Sequence, residues 1–461
     1  MRKTRVSVAR RAADSWRVFA GIDDRAATDE GVLAAATLYL VLAVIEDNPD
    51  AFPAAARPTG GRLATLAGHC QTLGEDGFFS REVFDEEVVR RLTGLGVEER
   101  LARAIAQDVS TPALAEASRL FDLEPGALAQ DSKLHREASY RAREWARVRT
   151  KLFGFSYPAG LARLVARLAS ARAGEKNAPL RVCLVAHPHP ALAAALEAEG
   201  DFQLFCPQES AAQALGTLVA WCFEREHPTV ELRLCLDDPT DGAGYDLVLA
   251  DLRSYEQTER TLGRGEWESF DAPGEALLDA CAELMGPEAT ALAVSSVRAL
   301  QSGDGEVRRS LLEENLVDAV VELRDVENRL SMGDVTLWAL RRGRGADDEV
   351  LLAQAAGDGL ADLERRCDGS LYDELEGNGR RCGTALALAD AIAAGEALPL
   401  LSTRVSVGDV LATDGADLRY TTYASSVDLA GRIELLAASY DDLRARLERE
   451  YAELRATLER A

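Results

Sequence analysis

The chain has 461 residues, 47% of them hydrophobic and 28% charged, which is enough for two or three domains with cores of their own. Its formal net charge of −25 opposes unaided binding to DNA, because contacts to phosphate need Lys and Arg. No apolar run reaches the ~18 residues of a membrane span, and no apolar segment of a signal peptide follows the basic start MRKTRVSVAR. We therefore expect a cytoplasmic protein with no membrane contact, which reaches DNA only within a complex.

The eight cysteines form no C-x-x-C pair and no disulfide framework. Cys183, Cys206 and Cys235 each fall in an apolar run that is typical of a strand. Small buried thiols in a reducing compartment account for this pattern, and we expect neither disulfides nor zinc.

Residues 1–152 predict an all-α N-terminal domain. Thr28 and Asp29 are suitable N-cap residues for an apolar helix over 31–45. Further helices are predicted over 82–93, 97–108, 112–121 and 134–152. The region 133–151 is basic and contains Tyr140 and Trp145, so it is either a face for nucleic acid or a partner, or a solvated helix. Charge runs favour the solvated helix.

From residue 153 to residue 345 apolar strand-like runs alternate with helical segments. Strands are predicted over 180–186, 202–206, 230–236, 245–250, 290–295, 316–323 and 335–340. Helices are predicted over 190–199, 209–223, 274–284 and 306–314. This alternation predicts an α/β domain with a doubly wound, mostly parallel sheet of the Rossmann-like kind.

The remainder divides into a tail module, 346–426, with one further strand over 350–355, and a long C-terminal helix, 427–461. Leucines, an isoleucine and tyrosines recur along this helix at spacings of three and four, which indicates a coiled-coil-like stripe. They are Leu429, Ile433, Leu436, Tyr440, Leu443, Leu447, Tyr451, Leu454 and Leu458. The stripe packs either on a partner helix or back on its own domain, and the sequence favours neither.

Several stretches carry a resemblance to a known family. Residues 245–255, YDLVLADLRSY, are similar to its Asp-Leu-Val-Leu-Ala-Asn-Pro-Pro-Phe. Residues 307–323 are similar to its Arg-x-x-Leu-Leu-Glu segment and the strand after it, and residues 333–340 to its last strand. Tyr157-Pro158 resembles its Tyr-Thr-Pro motif. The chain thereby resembles the DNA adenine methyltransferases, and within them the methylation subunit of type I restriction-modification systems.

This resemblance implies a methyltransferase-type sheet with a reversed final strand and S-adenosylmethionine as cofactor. The family's glycine-rich donor loop corresponds to Ala186, His187 and His189, where the sequence has prolines and no glycine. The family's ribose-binding acid corresponds to Glu209, and the acid beside the adenine ring to Asp237. The two histidines have no third ligand nearby, so we expect no metal site.

The resemblance places the target base at the turn after the fourth strand. Here Asp251 stands for the family's Asn, Leu252 and Arg253 for its two prolines, and Ser254 for its aromatic residue. Without the prolines the carbonyl that accepts from the base is not pre-placed, and without the ring a stacking contribution of roughly 1–3 kcal/mol is lost.

We therefore expect a degenerate homologue of the methylation subunit, a scaffold or recognition subunit of a DNA modification or defence assembly. Two alternatives stay open: an active S-adenosylmethionine-dependent DNA adenine methyltransferase with divergent motifs, and a helical platform for protein interaction with no role at nucleic acid. By the resemblance, the C-terminal helix would dock on a specificity-type subunit.

Overall fold

The computed structural model describes most of the α/β region and part of the helices before it. The described residues are 30–57, 81–110, 159–173, 179–185, 190–208, 211–224, 232–235, 244–252, 273–300, 305–324, 335–344, 349–356 and 402–424, with the single positions 113, 392, 394, 444, 448, 451 and 455. The basic region 133–151 and most of the predicted C-terminal helix lie outside them.

The helices begin before the sheet and then alternate with its strands. The described helices are α1 Glu30–Asp47, α2 Arg81–Gly94, α3 Glu99–Asp108, α4 Ala159–Ala173, α5 Pro190–Glu199, α6 Ala211–Glu224, α7 Pro273–Glu283, α8 Glu306–Glu313, α9 Val407–Leu411 and α10 Tyr420–Tyr423. The strands are β1 Leu180–Val185, β2 Phe202–Pro207, β3 Leu232–Cys235, β4 Tyr245–Asp251, β5 Met285–Ser296, β6 Val317–Arg324, β7 Val335–Arg341, β8 Glu349–Ala356 and β9 Ser402–Ser406.

All of these strands form one sheet in the order β3-β2-β1-β4-β5-β7-β6-β8-β9. The strands run parallel except β7, which is antiparallel to β5 and β6, and β9, which is antiparallel to β8. The predicted α/β class and mostly parallel sheet are confirmed, and the reversed strand is β7. The sheet also continues through β8 and β9 into the predicted tail, while the division into domains at 152, 345 and 426 stays a prediction.

Helices or the C-terminal segment cover both faces of the sheet, which makes the fold doubly wound. Strand β4 shows why: Leu247 and Leu249 point into the core beneath α1 to α6, and Val248 and Ala250 into the core beneath α7, α8 and residues 402–424. Successive side chains of a strand face opposite sides, so a continuous apolar run is required where both sides are buried.

The turn between α2 and α3 extends the sheet at its β3 edge. Val97 forms a parallel bridge with Leu234, whose N–H donates to the Gly96 carbonyl oxygen at 3.0 Å and whose carbonyl oxygen accepts from the Glu98 N–H at 2.7 Å. Gly96 has a φ of +94°, and a Cβ on it would lie 2.1 Å from the Leu232 carbonyl oxygen. The N-terminal helices are therefore joined to the sheet by backbone as well as by the shared core.

One predicted boundary is wrong. The strand expected over 290–295 begins earlier, at Met285, because Met285 pairs with Tyr245 before a register shift. The Gly-Pro pair at 286–287 is typical of a turn. In the structure Pro287 lies on the strand and is exposed. A proline is tolerated there because the strand is irregular at this point, so the missing N–H breaks no regular ladder bond. No helix in the described ranges is long and apolar enough to cross a bilayer.

Candidate functional site

The carboxyl ends of β1 and β4 meet where the strand order reverses, with β2 and β3 on one side and β5 on the other. In open α/β sheets ligands bind at this switch point. Val185 pairs with Ala250, so Asp251 projects one residue beyond the end of β1. Residues 186–189 alone separate β1 from α5. We call this border, formed by the ends of β1, β2, β4 and β5, the carboxyl edge.

Asp251 and Leu252 lie at the carboxyl edge, where the sequence placed them. Asp251 is half-buried and pairs with Val294 of β5. Leu252 is fully buried in the core beneath α7 and α8, and its N–H donates to the Val294 carbonyl oxygen at 2.8 Å. The chain after Asp251 therefore continues its pairing with β5 and enters the core instead of turning outward at once.

Gln208, which is not among the predicted site residues, fixes the turn after β2. Its side chain is 2% exposed; the amide donates to the carbonyl oxygens of Cys206 and Pro207 and accepts from the Thr217 hydroxyl at 3.1 Å. Its N–H donates to the Cys235 carbonyl oxygen at 2.7 Å. Every hydrogen-bonding group of this amide serves the fold, so it is not directed toward a ligand.

The other predicted site residues lie outside the described part of the chain. They are Ala186, His187, His189, Glu209, Asp237, Arg253 and Ser254. Their assignment as donor-binding or base-binding positions stays a prediction. Within the described ranges, no group of three or more His, Cys, Asp or Glu side chains is arranged to hold a metal.

A row of buried polar side chains crosses four strands near the carboxyl edge. Ser295, Thr336, Glu322 and Gln354 occupy matching register positions on β5, β7, β6 and β8, and all four are buried. The Trp338 indole N–H donates to the Ser295 hydroxyl at 2.8 Å, and the Gln354 amide donates to Glu322 at 3.1 Å. This row could not be predicted from the sequence, because its members come from four separate strands.

Several arginines in the described ranges donate to main-chain carbonyl oxygens of the fold. Arg90 donates to Ala55, Arg342 to Ala282, and Arg344 to Val317 and Glu349, while Arg308 and Arg309 grip the C-terminal segment. A guanidinium that is committed to carbonyl oxygens has fewer N–H groups to offer a phosphate. These arginines therefore serve the fold first, whereas others in the described ranges, such as Arg100, Arg167 and Arg233, are exposed.

An open groove of about 450 Å³ lies between the 3₁₀ turn Ala54–Ala56 and helices α2 and α3. Its charged lining residues are Glu86, Arg90, Glu99 and Arg103. Two acids and two bases give it no net preference for an anion. It belongs to the helical side of the fold and not to the carboxyl edge.

No sequence profile of a known family matches the chain, and no curated protein does. Among solved structures, the chain is similar to a type I restriction-modification methyltransferase subunit from Streptococcus thermophilus, with 14% identity, a TM-score of 0.45, and coverage of 92% of this chain and 100% of that one. It is similar to a modification subunit of a putative type I restriction enzyme from Vibrio vulnificus, with 10% identity, a TM-score of 0.43, and coverage of 91% and 96%.

A putative class I S-adenosylmethionine-dependent methyltransferase from Listeria monocytogenes aligns with 14% identity and a TM-score of 0.35, over 73% of this chain and 98% of that one. Every one of these TM-scores is below 0.5. The fold assignment therefore rests on the strand order and strand directions of this chain itself.

Proposed function

We propose that this chain is a methyltransferase-like subunit without methyl transfer, which serves as a scaffold or recognition component of a DNA modification or defence assembly. Its sheet order with a reversed β7 supports the methyltransferase type of fold. The stretches 307–323 and 333–340, which resemble type I methylation subunits, fall on α8, β6 and β7. The resemblance thus covers consecutive elements of the sheet and not scattered positions.

The loss of chemistry is inferred chiefly from Leu252. The position that it occupies is a proline in the family that the sequence resembles, and a proline has no N–H to donate. Here the Leu252 N–H pairs with Val294 and the side chain is fully buried. The residue that would begin the base-binding turn is instead bound to β5 and to the core.

The residues around the donor position do not fit S-adenosylmethionine. The connection from β1 to α5 has four residues and no glycine, and Pro188 and Pro190 each lack an N–H. A close approach of backbone to a ligand normally uses glycine. On the β2 side, the Gln208 amide is turned onto its own main chain and Thr217. We therefore assign no methyl-transfer step to this chain.

DNA contact, in this proposal, comes mainly from a partner. The net charge is −25, and several of the described arginines are committed to carbonyl oxygens or carboxylates of the fold. A specificity-type subunit with a basic surface would supply the phosphate contacts, and the predicted helix 427–461 is the segment proposed to dock on it. Tyr451, a member of the predicted stripe, is 71% exposed, and this exposed ring supports the proposal that the stripe packs on a partner.

Titration calorimetry with S-adenosylmethionine tests the proposal, with an active type I modification subunit measured in parallel. We expect no heat of binding from this chain and no transfer of labelled methyl groups to DNA. We also expect a gel shift with DNA only when a specificity-type subunit is added. Methyl transfer that disappears in an Asp251→Ala variant would overturn the proposal and establish an active enzyme.

A further inference from the structure

Residues 402–424, which we call the strap, pack on one face of the sheet. Trp338 lies in the core between the strap and that face. The strap begins as strand β9, continues through α9 and a turn, and ends with α10. Its apolar side chains Val410, Ala416, Leu418 and Tyr420 are at most 1% exposed. The strap is therefore part of the core and not a surface appendage.

The first anchor of the strap is Arg308, on α8, which is fully buried. Its Nε and Nη2 donate to the Gly415 carbonyl oxygen at 3.0 and 2.8 Å, and its Nη1 donates to the Ala299 carbonyl oxygen at 2.8 Å. Arg309 adds bonds to the carbonyl oxygens of Leu411 and Thr413, at the end of α9. Cations at the carboxyl end of a helix satisfy its terminal carbonyl groups.

The second anchor is Glu322, on β6, which is 1% exposed. One of its carboxylate oxygens accepts from the Tyr420 N–H at 2.9 Å, and the other accepts from the Gln354 amide at 3.1 Å. Both anchors are buried ionisable side chains that bind main-chain groups of the strap. These bonds favour one position of the strap, because a shift of the strap would break the hydrogen bond that each buried anchor makes to it.

The strap also meets the carboxyl edge directly. The 3₁₀ turn Val297–Leu300 follows β5 without a break. Within it, Ala299 accepts from Arg308, and Leu300 accepts from the Leu418 N–H at 3.4 Å. Five residues earlier than Ala299, Val294 accepts from the Leu252 N–H. One short stretch of β5 and its turn is thus bound by the strap on one side and by the chain after Asp251 on the other.

We propose that the strap and the end of β4 at the carboxyl edge form one cooperative unit, latched by Arg308 and Glu322, which opens and closes as a whole. Groups that share hydrogen bonds across a single element open together when their contacts are interdependent. The chain that leaves the strap at residue 424 is then coupled to Asp251. A partner that favours the latched strap also favours the ordered edge, and the reverse holds by linkage. The latch does not depend on the function proposed above.

Hydrogen exchange of the wild-type chain at increasing urea concentration tests this unit without any substitution. The strap fragments and the fragment that contains Leu252 should report the same opening free energy and the same urea dependence. Helices α1 and α4, on the opposite face, should report a different and larger free energy. Separate free energies for the strap and for the Leu252 fragment would overturn the proposal.

Variants of the two anchors, Arg308 and Glu322, provide an independent test by hydrogen exchange. Arg308→Lys keeps the charge but loses the fork that grips Gly415, and Glu322→Leu removes both acceptors. Each should accelerate exchange in the strap and at Leu252 by about tenfold or more, given the strength of hydrogen bonds to charged groups. Glu322→Gln, which keeps an acceptor for Tyr420, should accelerate them less than Glu322→Leu does.

Arg342→Lys is the matched control, because Arg342 also clamps a carbonyl oxygen, that of Ala282, but at the opposite end of the strands. It should leave exchange in the strap and at Leu252 unchanged. Faster exchange in the strap of either anchor variant, with Leu252 unaffected, would show that no coupling exists. Equal acceleration by Arg342→Lys would show a general loss of stability and would also overturn the latch.

Discussion

The guanidinium of Arg91 and the carboxylate of Glu46 lie 2.5 Å apart, with the two side chains 0% and 1% exposed. This ion pair joins α2 to α1, and Glu87 holds the same guanidinium at 3.0 Å. The hydrogen bonds from Arg90 and Arg91 lower the pKa of Glu87, against the opposing effect of burial. Two helices that are distant in the sequence are thus tied by charges that water does not reach.

Removal of one member of this pair should cost much more stability than removal of an exposed pair. Arg91→Met leaves the Glu46 carboxylate buried, which costs about 3–5 kcal/mol in comparable pairs. Arg103→Met, which breaks the exposed pair with Glu99, should cost at most about 1 kcal/mol. Urea unfolding of both variants measures the difference. Similar small losses would show that the buried pair is not a significant tie between the helices.

The bridge at the β3 edge depends on Gly96. An alanine there places a methyl group against the Leu232 carbonyl oxygen and requires an L residue at a φ of +94°, so Gly96→Ala should destabilise the fold by about 1–3 kcal/mol. Gly408→Ala is the control, because the nearest atom to its Cβ is the Ser406 Oγ at 3.9 Å. Thermal unfolding measures both. A tolerated Gly96→Ala would show that the turn adjusts.

The sheet was predictable because its strands are continuous apolar runs. Leu247 to Ala250 are buried on both faces, as such a run requires. The start of β5 was not predictable, since the Gly-Pro pair after Met285 has the composition of a turn. Its pairing with Tyr245 depends on a register that only the assembled sheet defines.

The anchors of the strap were beyond sequence reasoning for a related reason. Arg308 and Gly415 are 107 positions apart, and charged residues in a helix usually indicate a solvated face. At the carboxyl edge, the sequence identified Asp251 and the replacement at Leu252. It did not reveal that Leu252 continues the ladder to Val294, because any residue other than proline can donate that backbone hydrogen bond.

The strap should lose stability in acid through Asp417. Burial alone would raise the pKa of this carboxyl group, but hydrogen bonds from Arg419 and Thr422 bring the pKa below its ordinary value. A carboxyl group with a depressed folded-state pKa stabilises the fold above its unfolded pKa of about 3.9. That stabilisation is lost as the pH falls through the folded value.

Urea unfolding of the wild type and of Asp417→Asn at pH 6 and at pH 3 checks this prediction. At pH 6 the wild type should have a larger free energy of unfolding than Asp417→Asn. At pH 3 this difference between the two proteins should be smaller. Arg419→Met removes the side-chain bonds of Arg419 and leaves that of Thr422, so the pH dependence of this variant should weaken. An undiminished difference between wild type and Asp417→Asn at pH 3 would contradict the assignment.

The buried thiols should resist alkylation while the chain is folded. Burial raises the pKa of Cys206, and it raises the pKa of Cys281 to about 12, whereas the thiolate is the form that reacts. The buried free cysteines of the described ranges are Cys183, Cys206, Cys222, Cys235 and Cys281. We expect a pulse of iodoacetamide at pH 8 to modify them at least about tenfold more slowly in the native chain than in guanidinium chloride, as read by mass spectrometry of each cysteine peptide. Cys206 lies on β2, two residues before Gln208, so its rapid labelling in the native chain would mean that the turn after β2 opens far more readily than the hydrogen bonds of Gln208 imply.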